Sequence, residues 1–230
     1  MSGSFNGFPS SLVGFLSELA ENNNREWFLA NKPRYESEVL EPALDFIAAM
    51  EQPLSKLAPH FLALPKRMGG SLMRVYRDTR FSRNKSPYKT NVGIQFRHEL
   101  GKDAHAPGFY FHIDPDSIFV GAGSWRPASD ALFRIRTRIA EHPREWLKAR
   151  NSADFRKIFE LGGESLTRPP RGFDGDHPQI DDIKRKDYIA IKHLDRSFLD
   201  ADDIVDQVAG HFQAARPYMR FLCKAIGVPF

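Results

Sequence analysis

Near Ser71 the hydrophobic period of this 230-residue chain changes from helical to alternating, and that switch restricts the fold more than any other feature. Upstream, apolar residues recur at three- and four-residue spacings. Downstream they fall on every second position, the pattern of strands with one buried face. From Val92 to His98, Val92, Ile94 and Phe96 alternate with Gly93, Gln95 and Arg97. From Phe109 to Asp114, Phe109, Phe111 and Ile113 alternate with Tyr110, His112 and Asp114, and the turn at Asp114, Pro115 and Asp116 leads into a strand over Ser117–Gly123. With Leu72–Arg77 as a first strand and Tyr188–His193 as a short fifth, the expectation is an α+β fold. Its mainly antiparallel sheet of about four to five strands would have helices packed on one face.

The helices read from the same logic. Leu12, Phe15, Leu16 and Leu19 give an amphipathic helix that ends at Asn22 to Asn24, with Asn24 as N-cap of a short helix carrying Trp27 and Phe28. Tyr35, Val39, Ala43, Phe46, Ile47 and Met50 line a longer one kinked at Pro42, and Gln52–Gly70 reads as irregular connection. After Pro127 the helical period returns through Leu132, Phe133, Ile135 and Ile139, then around Trp146 and Phe155–Phe159, ending at Gly162 and Gly163. Thr167–Pro178 is loop. Asp200 is read as the cap of a final helix lined by Ile204, Val208, Phe212, Ala215, Leu222 and Ile226, with a kink at Pro217. Without a repeat or a long linker, residues 1–230 are expected to form a single domain.

Charge locates the candidate site. The sixteen residues Arg74–Lys89 hold six cations and one carboxylate, a net +5, while the whole chain is +4, so everything outside sums to −1. A concentration of this kind repels itself unless an anion, a partner or water compensates it. Arg77, Arg80, Arg83, Lys85 and Lys89 flank Thr79, Ser82, Ser86 and Thr90, the mixture of guanidinium forks, ammonium groups and hydroxyls that phosphate oxygens require. Phe81 and Tyr88 offer ring faces. The competing structural reading is a rigid network in which Asp78 and outside carboxylates such as Glu26 pair with the arginines.

Several of these stretches resemble the signature blocks of an uncharacterised bacterial and fungal family, domain of unknown function 2461. They are Asn22–Phe28 with Asn31, Lys32 and Tyr35, then Arg74–Asn91, Pro107–Tyr110, Gly121–Pro127, Gly172–Pro178 and Lys184–Asp187. The most specific is Arg77–Ser82 and Lys85–Lys89 around two variable positions. The resemblance implies one family-wide domain and supplies no activity or catalytic residue.

Other motifs fail on spacing. Gly121 and Gly123 lack the third glycine of a dinucleotide loop, where Arg126 stands, and read as a bulge or close backbone packing. His98-Glu99 begins a zinc-protease motif, but Lys102 holds the second histidine's place. Asp174, Asp176 and His177, with His112, Asp114, His193 and Asp195, have metal-ligand or general-base chemistry, yet Asp beside Gly and Pro is chiefly a turn former, so no metal is expected. The strand at Tyr188–Lys192 lacks the acid a nuclease core needs. The single cysteine, Cys223, is read as a buried thiol and excludes an intramolecular disulfide. No stretch has the length to span a bilayer and the amino terminus carries no leader signal, which places the chain in the cytoplasm without a membrane partner.

The leading expectation is a phosphate-bearing small molecule or nucleotide, bound with or without enzymatic processing. Arg74, Arg77, Arg80, Arg83, Lys85 and Lys89 would face the anion, Asp78 would orient an arginine, and Tyr88 and Trp125 would flank. His112 and His177 are the first candidates for proton transfer. Non-enzymatic nucleic-acid binding through the same stretch is the second reading and a charged scaffold or protein-docking surface the third. No cofactor is indicated.

Overall fold

In the computed structural model the described residues, 5–101 and 107–230, build one antiparallel sheet with helices against its apolar face. Lys102 and the first four residues of the amino terminus, both weighed above, lie outside the described residues. The strands are β1 (Phe61–Leu62), β2 (Val92–His98), β3 (Gly108–Ile113), β4 (Ile118–Ser124), β5 (Glu160–Gly162) and β6 (Tyr188–Leu194), in the order β1-β2-β3-β4-β6-β5. The fifth strand of the sequence reading is thus a full member of the sheet. Short β1 and β5 are additions at its two edges, where two or three residues of pairing leave little periodicity to detect.

The helices are α1 (Ser11–Glu21), α2 (Arg25–Ala30), α3 (Lys32–Tyr35), α4 (Glu41–Leu57), α5 (Ser129–Glu141), α6 (Pro143–Arg150), α7 (Ala153–Ile158), α8 (Ile180–Ile183) and α9 (Ile204–Ile226). Asn24 caps α2 by accepting from Trp27 N at 2.9 Å. Between α3 and α4 the chain opens into a π turn over Glu36–Leu40, closed by Glu41 N on Glu36 O. Pro42 explains it: the ring crowds the carbonyl four residues back and has no N–H to give it.

The register puts Val92, Ile94, Phe96, Phe109, Phe111, Ile113, Ile118, Val120 and Ala122 on one side, all buried. Helices α4 and α9 cover them. Phe212 of α9 lies 4.6 Å from Phe109, and Phe46 of α4 lies 5.3 Å from Phe111, centroid to centroid. Each such ring removed from water contributes about 1.5 to 3 kcal/mol. Cys223 is buried on α9, and burial pushes its thiol up to about 12. Among the described residues no helix is long and apolar enough to cross a membrane.

Three expectations change. Helix α4 continues through Pro53 to Leu57, because Leu54 and Leu57 prolong the buried stripe from Met50 and their burial outweighs an interior proline's cost of about 3 kcal/mol. The strand expected over Leu72–Arg77 exists only as isolated bridges, Leu72 to Ile94 and Tyr76 to Tyr88. After Met73 the chain leaves β2 and folds on itself, with Arg77 N bonded to Pro87 O and Lys89 N to Val75 O. Finally, Asp200 ends a 3-10 turn, and Asp203 stands at the start of α9, its carboxylate taken by Gln207 Nε2 at 2.6 Å.

Candidate functional site

The second face of the sheet carries the complementary set of side chains. Two-residue alternation places Gly93 and Gln95 of β2, Gly108, Tyr110 and His112 of β3, Phe119, Gly121 and Gly123 of β4, and Ile189 and Ile191 of β6 together. Four glycines keep this surface low, and the depression is a hollow of 370 Å³ whose wall includes Met73, Tyr110, His112, Phe119, Trp125 and Ile191. Gly123 is required by close approach: at φ +130° a Cβ there would sit 2.0 Å from Tyr188 O. Gly93 is required by the site itself. A Cβ there would stand 2.6 Å from the Tyr110 hydroxyl, so the glycine makes the room in which the phenol lies.

That phenol begins a line of hydrogen bonds along β3. Tyr110 Oη is 3.1 Å from His112 Nδ1, and His112 Nε2 is 2.7 Å from Asp114 Oδ2. The other oxygen of Asp114 accepts from Asp116 N at 2.8 Å and Ser117 N at 2.6 Å. Burial works to raise the Asp114 carboxyl, but the bonds from His112 and these two N–H groups prevail and hold it below the ordinary carboxylate value. Asp114 is therefore ionised and accepts a hydrogen bond from Nε2–H, which leaves Nδ1 to accept from the tyrosine. Phe119 stacks on the imidazole at 4.6 Å and 16°, fixing its plane. Burial, then the Asp114 charge, pushes the Tyr110 hydroxyl up to about 12.

The basic block meets the hollow at Met73. Alternation along the self-paired ribbon sets Val75 and Arg77 on the side of Met73, with Lys89 across from Val75. Lys89 is half-buried, and burial, then the charge of Arg74, holds its ammonium below the usual lysine range. Among the described residues, no carboxylate lies within salt-bridge distance of Arg74, Arg77, Arg83 or Lys89. Arg80 does have a counter-ion: its Nη2 and Nε reach Asp78 at 2.7 and 3.0 Å, and this fork, with a backbone bond, lowers Asp78 to about 2. Lys85 Nζ donates to Thr79 O at 2.9 Å, closing the loop on itself.

The ring of Tyr88, expected beside a ligand, instead belongs to the core. It is 4% exposed and stacks on Phe28 at 4.0 Å. Trp125 lies at the other end of the hollow, half in solvent, with the Arg126 guanidinium 4.9 Å from its ring. Glu26 is exposed and makes no ion pair with the block among the described residues. The link from that region is Asn23, whose side chain holds the backbone of Tyr88.

The family model described as a conserved hypothetical protein (DUF2461) matches residues 11–221. The chain belongs to the DUF2461 family. The match runs from the first residue of α1 into the last third of α9, and so includes all six strands and the whole basic block. No curated protein and no solved structure matches the chain.

In this DUF2461 protein His177, Asp174 and His98 are held by hydrogen bonds. His177 Nε2 donates to Ala140 O at 3.2 Å while Nδ1 accepts from Gln179 N, and Asp174 bonds Asp176 N in a turn. His98 is buried between Pro229 O and Leu100 N. Among the described residues no three His, Cys, Asp or Glu side chains gather as a metal site. Asp187, buried, is a residue whose role sequence reasoning did not assign. Its oxygens accept from Arg126 N at 2.7 Å and Glu164 N at 3.0 Å, pinning the loop that carries Trp125 and holding Arg126 at φ 47°. Tyr110 was also missed, although its spacing from His112 and Asp114 was the available signal.

Proposed function

We propose that this DUF2461 protein binds a phosphate-bearing small molecule or nucleotide in the cytoplasm, its apolar body in the hollow and its phosphate against the ribbon. The observation that supports this best is Lys89. A half-buried ammonium beside Arg74, with no carboxylate in salt-bridge range among the described residues, is an arrangement that an anion would complete. Arg77 on the same side would supply a guanidinium fork, and Trp125 a ring face for a planar group. Arg83 and Lys85, farther out and exposed, would raise the local concentration of anions. Arg80 has its fork on Asp78 and would contribute less.

The test is thermal shift and calorimetric titration with ATP, AMP, ribose 5-phosphate and pyrophosphate. A saturable rise in melting temperature is expected with at least one of them, abolished in Lys89→Gln and Arg77→Gln and largely kept in Arg80→Ala. Equal responses from the wild type and Lys89→Gln, including no response from either, would remove the proposal.

A second reading has its own observation. Phe81 is 95% exposed at the tip of the ribbon, between Arg83 and an Arg80 guanidinium 5.8 Å from its ring, which is the equipment for stacking on a single-stranded base. Nucleic-acid binding there would weaken steeply with salt and fall in Phe81→Ala. Small-ligand binding in the hollow would be kept in Phe81→Ala.

A further inference from the structure

We infer that the hollow is a proton-transfer site, in which Tyr110 is the catalytic group that removes a proton from the ligand while His112 takes the phenol's own proton. Two side chains at alternate positions of β3 and a third from the turn that follows it line up in the required order, with Oη 3.1 Å from Nδ1 and Nε2 2.7 Å from the Asp114 carboxylate. The order of the bonds sets the direction. Ionised Asp114 occupies the Nε2 proton, Nδ1 is the open lone pair, and the tyrosine hydroxyl points its hydrogen at it. The phenolic oxygen keeps a lone pair for the hollow. When a ligand X–H approaches, its bond to hydrogen breaks as a new O–H bond forms on Tyr110. The original phenolic proton passes to Nδ1, giving X⁻ and an imidazolium neutralised by Asp114. No further reactant is needed.

A lone buried phenol would be a poor base, since its hydroxyl is pushed up to about 12. The coupled transfer avoids a free phenolate by giving the proton a destination. His112 faces Gly93 across β2 and Phe119 across β4, neither of them charged, and the next titratable group on that face is His193 of β6, its Nδ1 3.5 Å from Ser117 Oγ. Resting on the binding proposal above, the substrate class is a phosphate-bearing compound with a hydroxyl or an acidic C–H to be deprotonated. Asp114 and His112 act through Tyr110: Asp114 is a positioning residue, and His112 is the proton acceptor.

The relay can be tested without knowing the substrate. An arylsulfonyl fluoride reacts with a phenol by forming the O–S bond, expelling fluoride and surrendering the phenolic proton, the same transfer proposed here. Labelling of the full chain is followed by peptide mass spectrometry, with the exposed Tyr76 as internal standard. Tyr110 is expected to react faster than Tyr76. His112→Gln should slow Tyr110 by about 100-fold with Tyr76 unchanged, and Asp114→Asn by a smaller factor. Tyr110→Phe should remove the adduct. If Tyr110 labels no faster than Tyr76 in the wild type, or His112→Gln leaves the Tyr110 rate unchanged, the relay is wrong. The two proposals fail separately: ATP binding lost in Lys89→Gln beside an inert Tyr110 leaves binding without the relay, and a reactive Tyr110 in a protein that ignores every phosphate compound leaves the relay alone.

Discussion

The side-chain amide of Asn23 closes a two-bond ring on the backbone of Tyr88, accepting from its N–H at 3.1 Å and donating to its carbonyl at 3.0 Å. Sixty-five residues separate the pair. The ring fixes the end of the basic ribbon to the turn between α1 and α2, while the Tyr88 side chain anchors the same point in the core against Phe28. Lys89 follows immediately, so its position in the ribbon depends on this junction.

Asn23→Ala removes both bonds and is expected to lower the unfolding free energy by about 1 to 3 kcal/mol in urea titrations. It should also weaken the response to phosphate compounds, although it touches no cation. Unchanged stability would show that water replaces the amide at no cost.

Gly93→Ala tests the room made for the phenol. The new Cβ would meet the end of a side chain rather than backbone, 2.6 Å from Tyr110 Oη and 3.2 Å from Met73 Sδ, so stability should fall by only about 1 to 3 kcal/mol. The Tyr110 to His112 bond, by contrast, should be broken. Loss of the His112-dependent reactivity of Tyr110 in a folded protein checks this.

Asp114 makes an acid-limb prediction. Its folded-state pKa lies below the ordinary 3.8, so its contribution is complete above about that pH and is lost as pH falls through the lower folded value. Because the side chain is 27% exposed, screening limits that contribution to about 1 kcal/mol. Asp114→Asn, which can still accept from the turn N–H groups, should be less stable than wild type at pH 7. The gap should narrow as pH falls below 3.8, in urea midpoints measured through the acid range.

Lys89 predicts an opposition between stability and binding. Burial and Arg74 disfavour its charged form in the folded protein, so the strain persists at neutral pH and is relieved only as pH rises through its lowered pKa toward the unfolded value of 10.5. Lys89→Met should therefore be at least as stable as wild type without ligand. The gain is at most about 1 kcal/mol, or 2 to 4 °C in melting temperature, given solvent screening of a half-exposed group. Its phosphate response should vanish. A variant that melts lower while still binding phosphate compounds would contradict both halves.

Much of the architecture was readable because local order carries it. Alternation in Val92–His98 and Phe109–Asp114 put the right side chains on the right faces, and the same alternation already aligned Tyr110, His112 and Asp114. The helix through Pro53 was not readable, since the stripe that overrides the proline depends on the core that Leu54 and Leu57 enter. Nor was Tyr88: an aromatic inside a cationic run looks like a ligand contact until the ring of Phe28 is found beneath it.

The sequence by itself determined the antiparallel α+β plan, the position of the excess charge and the membership of side chains in each sheet face, because periods of two and 3.6 and the summed charge are properties of the chain alone. Only the tertiary structure decided which charges are answered. Arg80 finds Asp78 two residues away, whereas Lys89 is half-buried with Arg74 for company, and the Tyr110 phenol reaches His112 only because Gly93, on another strand, has no side chain to displace it. Such pairings are distances between residues that the chain folds together, and a spacing in sequence does not contain them.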